Sequence, residues 1–247
     1  GLANMLASHL DLDNPQHQQL VQDFWQSPVI ARQPGLKAVD LFQAVESGKI
    51  KAIWIMATNP IVSLPDADQV KRALEKCEFV VVSDICLDTD TTQYADVLLP
   101  ALGWGEKDGT VTNSERRISR QKAFLPAPGE AKADWWAISR VAKALGFRGF
   151  DFKNSHDIFL EHARLSAYQN GSLSQRADTP NFRYFNLQGL TQLGFVEYQH
   201  LTPIQWPVWD KQVVHQIGQI FSQGQFSHVD GKARLVPTIA ADPVHAI

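Results

Sequence analysis

The chain has 247 residues, a formal net charge of -3, and 44% hydrophobic against 20% charged residues. That balance describes a globular protein able to bury a sizeable core, and it offers no basic footprint for nucleic acid. The longest apolar runs, around 79–82 and 97–102, fall far short of the roughly 20 residues that a membrane span requires.

Residues 1–35 mix His, Gln, Asn and Asp with scattered apolar side chains and carry no clear period, so this part reads as irregular. Gly1 opens the chain with neither an initiator Met nor a signal-like segment, which suggests a stretch cut from something longer. Leu36, Val39, Phe42 and Val45 follow the spacing of an amphipathic helix closing near Gly48, and 53–57 is a short apolar run suited to a buried strand. A second helix starts at Asp66 as N-cap, with Val70, Leu74 and Cys77 on its apolar face. Strands 79–82 and 97–99 follow. Being almost entirely apolar, the strand at 79–82 and the run at 53–57 predict burial between two helical layers of a parallel sheet.

Asp134 opens a third helix with the face Ile138, Val141, Ala142 and Leu145, stopped by Gly146, and Ser155 is expected to cap a fourth over 155–167. From 169 to 209 the pattern decays into Asn, Gln, Gly and Pro with interspersed aromatics, a stretch expected to be ordered by contacts with something else. Near the end, Asp230-Gly231 between 225–229 and 233–236 is a tight-hairpin signature. The fold class is therefore α/β: an open, mostly parallel sheet with flanking helices, then an irregular segment and a C-terminal hairpin. The expected domains are 1–150 and an extension over 151–247.

Ligands of open parallel sheets sit outside the carboxyl ends of the strands. Thr58-Asn59, Ser83-Asp84 and the loop 103–109 with Lys107 all fall there, placing amide, carboxylate and ammonium along one edge. A carboxylate such as Asp84 can accept two donors from a guanine edge, Lys107 can offset phosphate charge, and Asn59 can serve ribose or base. Singly, each is also an ordinary turn former; together they point to a nucleotide site. Gly103, Gly105 and Gly109 have the wrong spacing for a dinucleotide fingerprint, and no GxSxG or HExxH is present. Arg116 and Arg117 read equally well as an anion clamp or as exposed charges. Cys77 and Cys86 lack ligand spacing and read as reduced and structural, pointing to the cytoplasm.

The stretches "IWIMATNPIVSLPDADQVKRAL", "FVVVSD", "TDTTQYADVLLPALGWGEKDGTVTNSERRISRQ" and "PAPGEAKADWW" closely resemble the molybdopterin oxidoreductases that carry a bis(molybdopterin guanine dinucleotide) cofactor, nearest the assimilatory nitrate reductase branch. This resemblance implies a Rossmann-like domain gripping the guanine dinucleotide half of one pterin, with Asn59, Ser83, Asp84, Lys107 and Asp134 as cofactor contacts and Thr89 and Thr91 toward the pterin. It further implies a fragment of an enzyme that reduces nitrate to nitrite at molybdenum, fed by an electron-donor protein or domain through a [4Fe-4S] centre. The cysteines of that centre, the molybdenum ligand and a C-terminal barrel would lie outside this chain. By itself the segment is expected to be inactive and to hold free cofactor weakly at best. Open alternatives are formate dehydrogenase or another bis-pterin reductase, a non-catalytic structural homologue, and a free-standing nucleotide-binding module.

Overall fold

A computed structural model describes residues 7–171 and 181–210 and, nearer the C-terminus, 220, 221, 224, 226, 228 and 230–237. Contacts divide the chain into two units, Gly1–Val214 and His215–Ile247.

In the first unit, the region read as irregular contains a helix, α1 (Pro15–Trp25). Asn14 caps it by accepting from Gln16 N, Pro15 takes the first helical position, and Leu20 and Val21 are buried. Its weak periodicity comes from Gln and His on the remaining faces, so the start signals rather than the period mark the helix. Next come α2 (Ala38–Glu46), β1 (Ala52–Met56), the short α3 (Pro60–Ser63), α4 (Ala67–Lys76), β2 (Phe79–Asp84) and β3 (Val97–Pro100). Asp66 caps α4 as expected, accepting from Gln69 N at 2.9 Å.

The three strands form a parallel sheet in the order β1-β2-β3. Helices α2 and α4 cover one face, where Phe42, Val45, Val70, Leu74, Ile55, Val80 and Val82 make a closed core. Among the described residues, burial between two helical layers is not observed. Residues of the opposite face are half open, Phe79 by 46% and Val97 by 37%, so the apolar run in β2 is buried in alternation.

A hairpin that the sequence reading missed follows: β4 (Gly109–Thr112) pairs antiparallel with β5 (Arg117–Gln121) through the turn at Asn113, whose Oδ1 accepts from the N–H groups of Glu115 and Arg117. Helix α5 (Asp134–Ala144) begins where expected, yet Ser139 and Ala142 are its buried residues, while Ile138, Val141 and Leu145 are exposed. For α6 (Ser155–Ala167) the cap is Asn154, accepting from Asp157 N, and not Ser155.

Residues 181–210 are ordered by this chain itself. Phe185, Leu187, Leu190, Leu193, Tyr198 and Val208 pack on Phe159 and Ala163 of α6 and on Ile118 of β5. Within this stretch lie α7 (Phe195–Gln199) and β6 (Ile204–Gln205), and β6 joins β5 to complete a three-stranded antiparallel sheet.

In the second unit the expected turn is present: Gly231 has φ 66° and donates its N–H to His228 O, and Phe226 N–H donates to Gly231 O at 2.7 Å. No strand is assigned to its arms among the described residues, and positions 225, 227 and 229 of the predicted hairpin lie outside them.

Candidate functional site at the carboxyl edge of the parallel sheet

Register aligns the strand ends. Met56 pairs with Ser83 and Ser83 with Leu99, Asp84 pairs with Pro100, and Ala57 N and Ala101 N donate to Ser83 O and Asp84 O, each at 3.0 Å. The segment ahead of α5 extends the same layer. Lys132 N donates to Pro100 O at 3.0 Å and Leu102 N to Lys132 O at 3.2 Å in a parallel bridge. Because Ala101 and Lys132 run in the same direction, the chain beyond each leaves at the carboxyl edge of the layer, where Asp134 and its ion-pair partner Lys107 follow.

Each predicted residue has a defined partner. Asn59 precedes α3, and its Oδ1 accepts from the Thr91 hydroxyl at 2.6 Å. Thr91 is fully buried, so it holds Asn59 from behind. Ser83, only 2% exposed, accepts from Trp54 Nε1 at 2.8 Å. Asp84 Oδ1 accepts from Cys86 N at 2.9 Å, folding the chain back after β2. Lys107 Nζ and Asp134 Oδ2 form an ion pair at 3.1 Å with both side chains about one-third exposed. Asp134 Oδ1 is buried without a hydrogen-bond partner among the described residues. Asn59, Asp84 and Lys107 thus follow β1, end β2 and follow β3 respectively, and no hydrogen bond or ion pair joins them among the described residues.

This set of side chains includes both acceptors and donors. Asp84 and the orphaned Asp134 oxygen accept; Asn59 Nδ2, the Ser83 hydroxyl proton and Lys107 donate. Lys107 is already neutralised in part by Asp134, so the edge is not a general phosphate clamp. A carboxylate edge of this kind matches the N–H face of guanine, and the buried unpaired oxygen of Asp134 is a group that needs a donor. These are groups that could hold a guanine nucleotide tail.

Arg116 and Arg117 stand elsewhere. Arg116 has φ 71°, donates Nε–H to Trp206 O at 3.1 Å and lies over the Trp206 ring, while Arg117 pairs with Glu115 at 2.6 Å. A cavity of about 420 Å³ beside them is lined by Thr110, Asn113, Arg116, His162, Phe185 and Trp206 among others, and by none of the five predicted residues. We call the carboxyl edge of the parallel sheet the lip. Trp54 escaped the sequence reading, although a half-buried indole N–H needs an acceptor and a serine in the neighbouring strand was available to supply one.

Comparison with known proteins identifies the family. A sequence model described as "Molybdopterin oxidoreductase" matches residues 4–144. The chain belongs to the molybdopterin oxidoreductase family. A nitrate reductase from Shewanella frigidimarina (strain NCIMB 400) is 49% identical over 249 residues, covering 100% of this chain and 26% of the relative. Nitrate reductase from Klebsiella oxytoca is 47% identical over 247 residues, again covering 100% of the chain and 27% of the relative. The chain therefore spans about a quarter of the length of these curated relatives. Among solved structures, acetylene hydratase from Pelobacter acetylenicus superposes with a TM-score of 0.50 at 21% identity, covering 68% of this chain and 20% of that one. That likeness concerns the fold alone.

Proposed function

We propose that this chain is the part of a molybdenum-dependent assimilatory nitrate reductase that grips the guanine dinucleotide tail of a bis(molybdopterin guanine dinucleotide) cofactor. The observation that carries the reading is the convergence of Ser83-Asp84 with the Lys107–Asp134 pair at one strand edge, with a buried Asp134 oxygen left unpaired. When bound, molybdenum and its pterins supply the redox chemistry that takes nitrate to nitrite.

The chain's own residues hold and orient. Asp84 accepts from the guanine edge, Asn59, braced by Thr91, donates its amide to ribose or base, and the Ser83 hydroxyl donates its proton. Lys107 offsets phosphate charge, and Asp134 both fixes the ammonium and offers its second oxygen. In the whole protein an electron donor delivers reducing equivalents through a [4Fe-4S] centre outside this chain. Cys77 and Cys86, both free thiols, are in keeping with a reducing cytoplasm. Nitrate as the substrate rests on the two nitrate reductases, each aligned along the full length of the chain.

The test uses the full-length protein. Purified enzyme is assayed for nitrate and for formate turnover with an artificial electron carrier, and its molybdenum and acid-released GMP are measured. Nitrate reduction with both molybdenum and GMP present is expected, and Asp84→Ala lowers the GMP content. Formate turnover without nitrate turnover would overturn the substrate assignment; protein free of molybdenum would overturn the enzymatic reading.

A further inference from the structure

The residue after Lys107 is tied down by β5 and by the start of α6. Asp108 Oδ2 accepts from Arg120 Nη2 at 2.8 Å, and Asp108 Oδ1 accepts from Ser155 Oγ at 2.5 Å, so both carboxylate oxygens are engaged. Arg120, in β5, has a side chain only 4% exposed and reaches four groups: Asp108, the carbonyls of Gly109 and Gln121, and Gln199 Oε1 at 3.1 Å. Its guanidinium lies 4.1 Å from the centroid of the Tyr198 ring, and the Tyr198 hydroxyl donates to Ser155 at 3.3 Å. On the other side of Lys107, Glu106 closes its own turn by accepting from Gly103 N at 2.6 Å. Lys107 therefore sits between two fixed carboxylates, one fastened to the loop after β3 and the other to Arg120 of β5, which also meets α7, and to Ser155 of α6.

We infer that Asp108 and Arg120 are positioning residues for Lys107: they hold its backbone so that its ammonium meets Asp134 at the cofactor-facing lip, and they link retention of the cofactor tail to the packing of α6 and α7. This rests on the reading of the lip as a guanine dinucleotide site. A buried planar fork with several acceptors is a rigid anchor, and a lysine on a flexible stem gains most from a fixed backbone because less freedom remains to be lost on binding. Neither Asp108 nor Arg120 contacts the other residues assigned to the lip. Their effect on it must pass through Lys107.

The experiment is a double-mutant cycle in the full-length enzyme, comparing Lys107→Ala, Asp108→Ala and the double variant. The readout is the rate at which molybdenum and GMP leave the protein in mild urea, with thermal unfolding followed in parallel. Each single variant is expected to release cofactor roughly tenfold faster, the size of one charge-assisted hydrogen bond. The double variant is expected to be no faster than Lys107→Ala alone. Additive effects, or unchanged release in Asp108→Ala, would overturn the inference while leaving the lip intact. Unchanged release in Lys107→Ala would overturn the cofactor reading and this inference together. Should Asp108→Ala fold poorly, Asp108→Asn and Arg120→Lys serve instead, with a smaller acceleration expected that likewise vanishes on the Lys107→Ala background.

Discussion

The indole N–H of Trp54 donates to the Ser83 hydroxyl at 2.8 Å, joining neighbouring parallel strands at the edge where the lip begins. The bond gives a half-buried indole N–H its acceptor on a serine that is itself buried. Trp54→Phe keeps the ring and removes the donor, leaving a buried hydroxyl oxygen unpaired. A loss of about 1–3 kcal/mol in urea unfolding is expected. Adding Ser83→Ala should cost less than the sum of the two single changes, because the orphaned partner is then gone.

Thr91 and Asn59 make a similar pair, with 2.6 Å between hydroxyl and amide oxygen. Thr91 also receives Ile61 N at 3.4 Å, so it anchors the start of α3 together with the side chain that precedes it. Thr91→Val preserves shape but removes both interactions at a fully buried position. About 1–3 kcal/mol of stability should be lost. Cofactor retention should fall further than in Asn59→Ala if Thr91 also fixes the backbone entering α3; equal retention in the two variants would confine its role to the amide.

Much of the first layer was legible because local signals agreed with one another. Asp66 and Gly48 punctuate the helices, and the strands 53–57, 79–82 and 97–99 sit within a residue or two of β1, β2 and β3. The hairpin of β4 and β5 was not legible, since Arg117, Ser119 and Arg120 alternate with few apolar residues and the turn is built by the Asn113 side chain. The stretch 181–210 hid its order for a related reason: its buried side chains, such as Phe185, Leu187 and Tyr198, meet α6 through long-range packing that leaves no period. At the site, the residue types and the strand-end rule pointed to the lip, whereas the braces Trp54, Thr91, Asp108 and Arg120 act across the chain and carry no spacing. The apolar face expected on α5 misled because apolar residues mark a surface suited to burial without saying which residues this chain covers.

Arg183 closes the end of α6. It is 5% exposed, and its Nη2 donates to the carbonyls of Leu165, Ser166 and Tyr168 at 3.1–3.2 Å, while burial lowers its pKa to about 10. A cation at a helix C-terminus also opposes the negative end of the helix dipole. Arg183→Met keeps much of the stem and strands several carbonyls, so a loss of about 3 kcal/mol or more is expected. Arg183→Lys should recover part of it, since one ammonium cannot reach every acceptor that the fork spans. Equal stability of the two variants in urea unfolding would show that charge, not the fork, is what the helix end requires.

His162 makes stability depend on pH. Burial, with a smaller contribution from His9, lowers its pKa from 6.5 to about 4, and its Nδ1 lies 3.4 Å from the Ser8 hydroxyl. The imidazole is neutral in the folded protein over a range where the unfolded chain takes up a proton. Stability is therefore complete above about pH 6.5 and is lost as pH falls toward 4, at up to about 1.4 kcal/mol per pH unit. Over that window the loss from this group reaches about 3 kcal/mol. His9, whose pKa is also lowered by burial and by the nearby Arg183, adds to the same slope. Urea unfolding at pH 7 and pH 5 should show the fall, and His162→Gln should flatten it while leaving the part that belongs to His9. A slope unchanged in His162→Gln would mean that this ring titrates normally and that the acid sensitivity lies elsewhere.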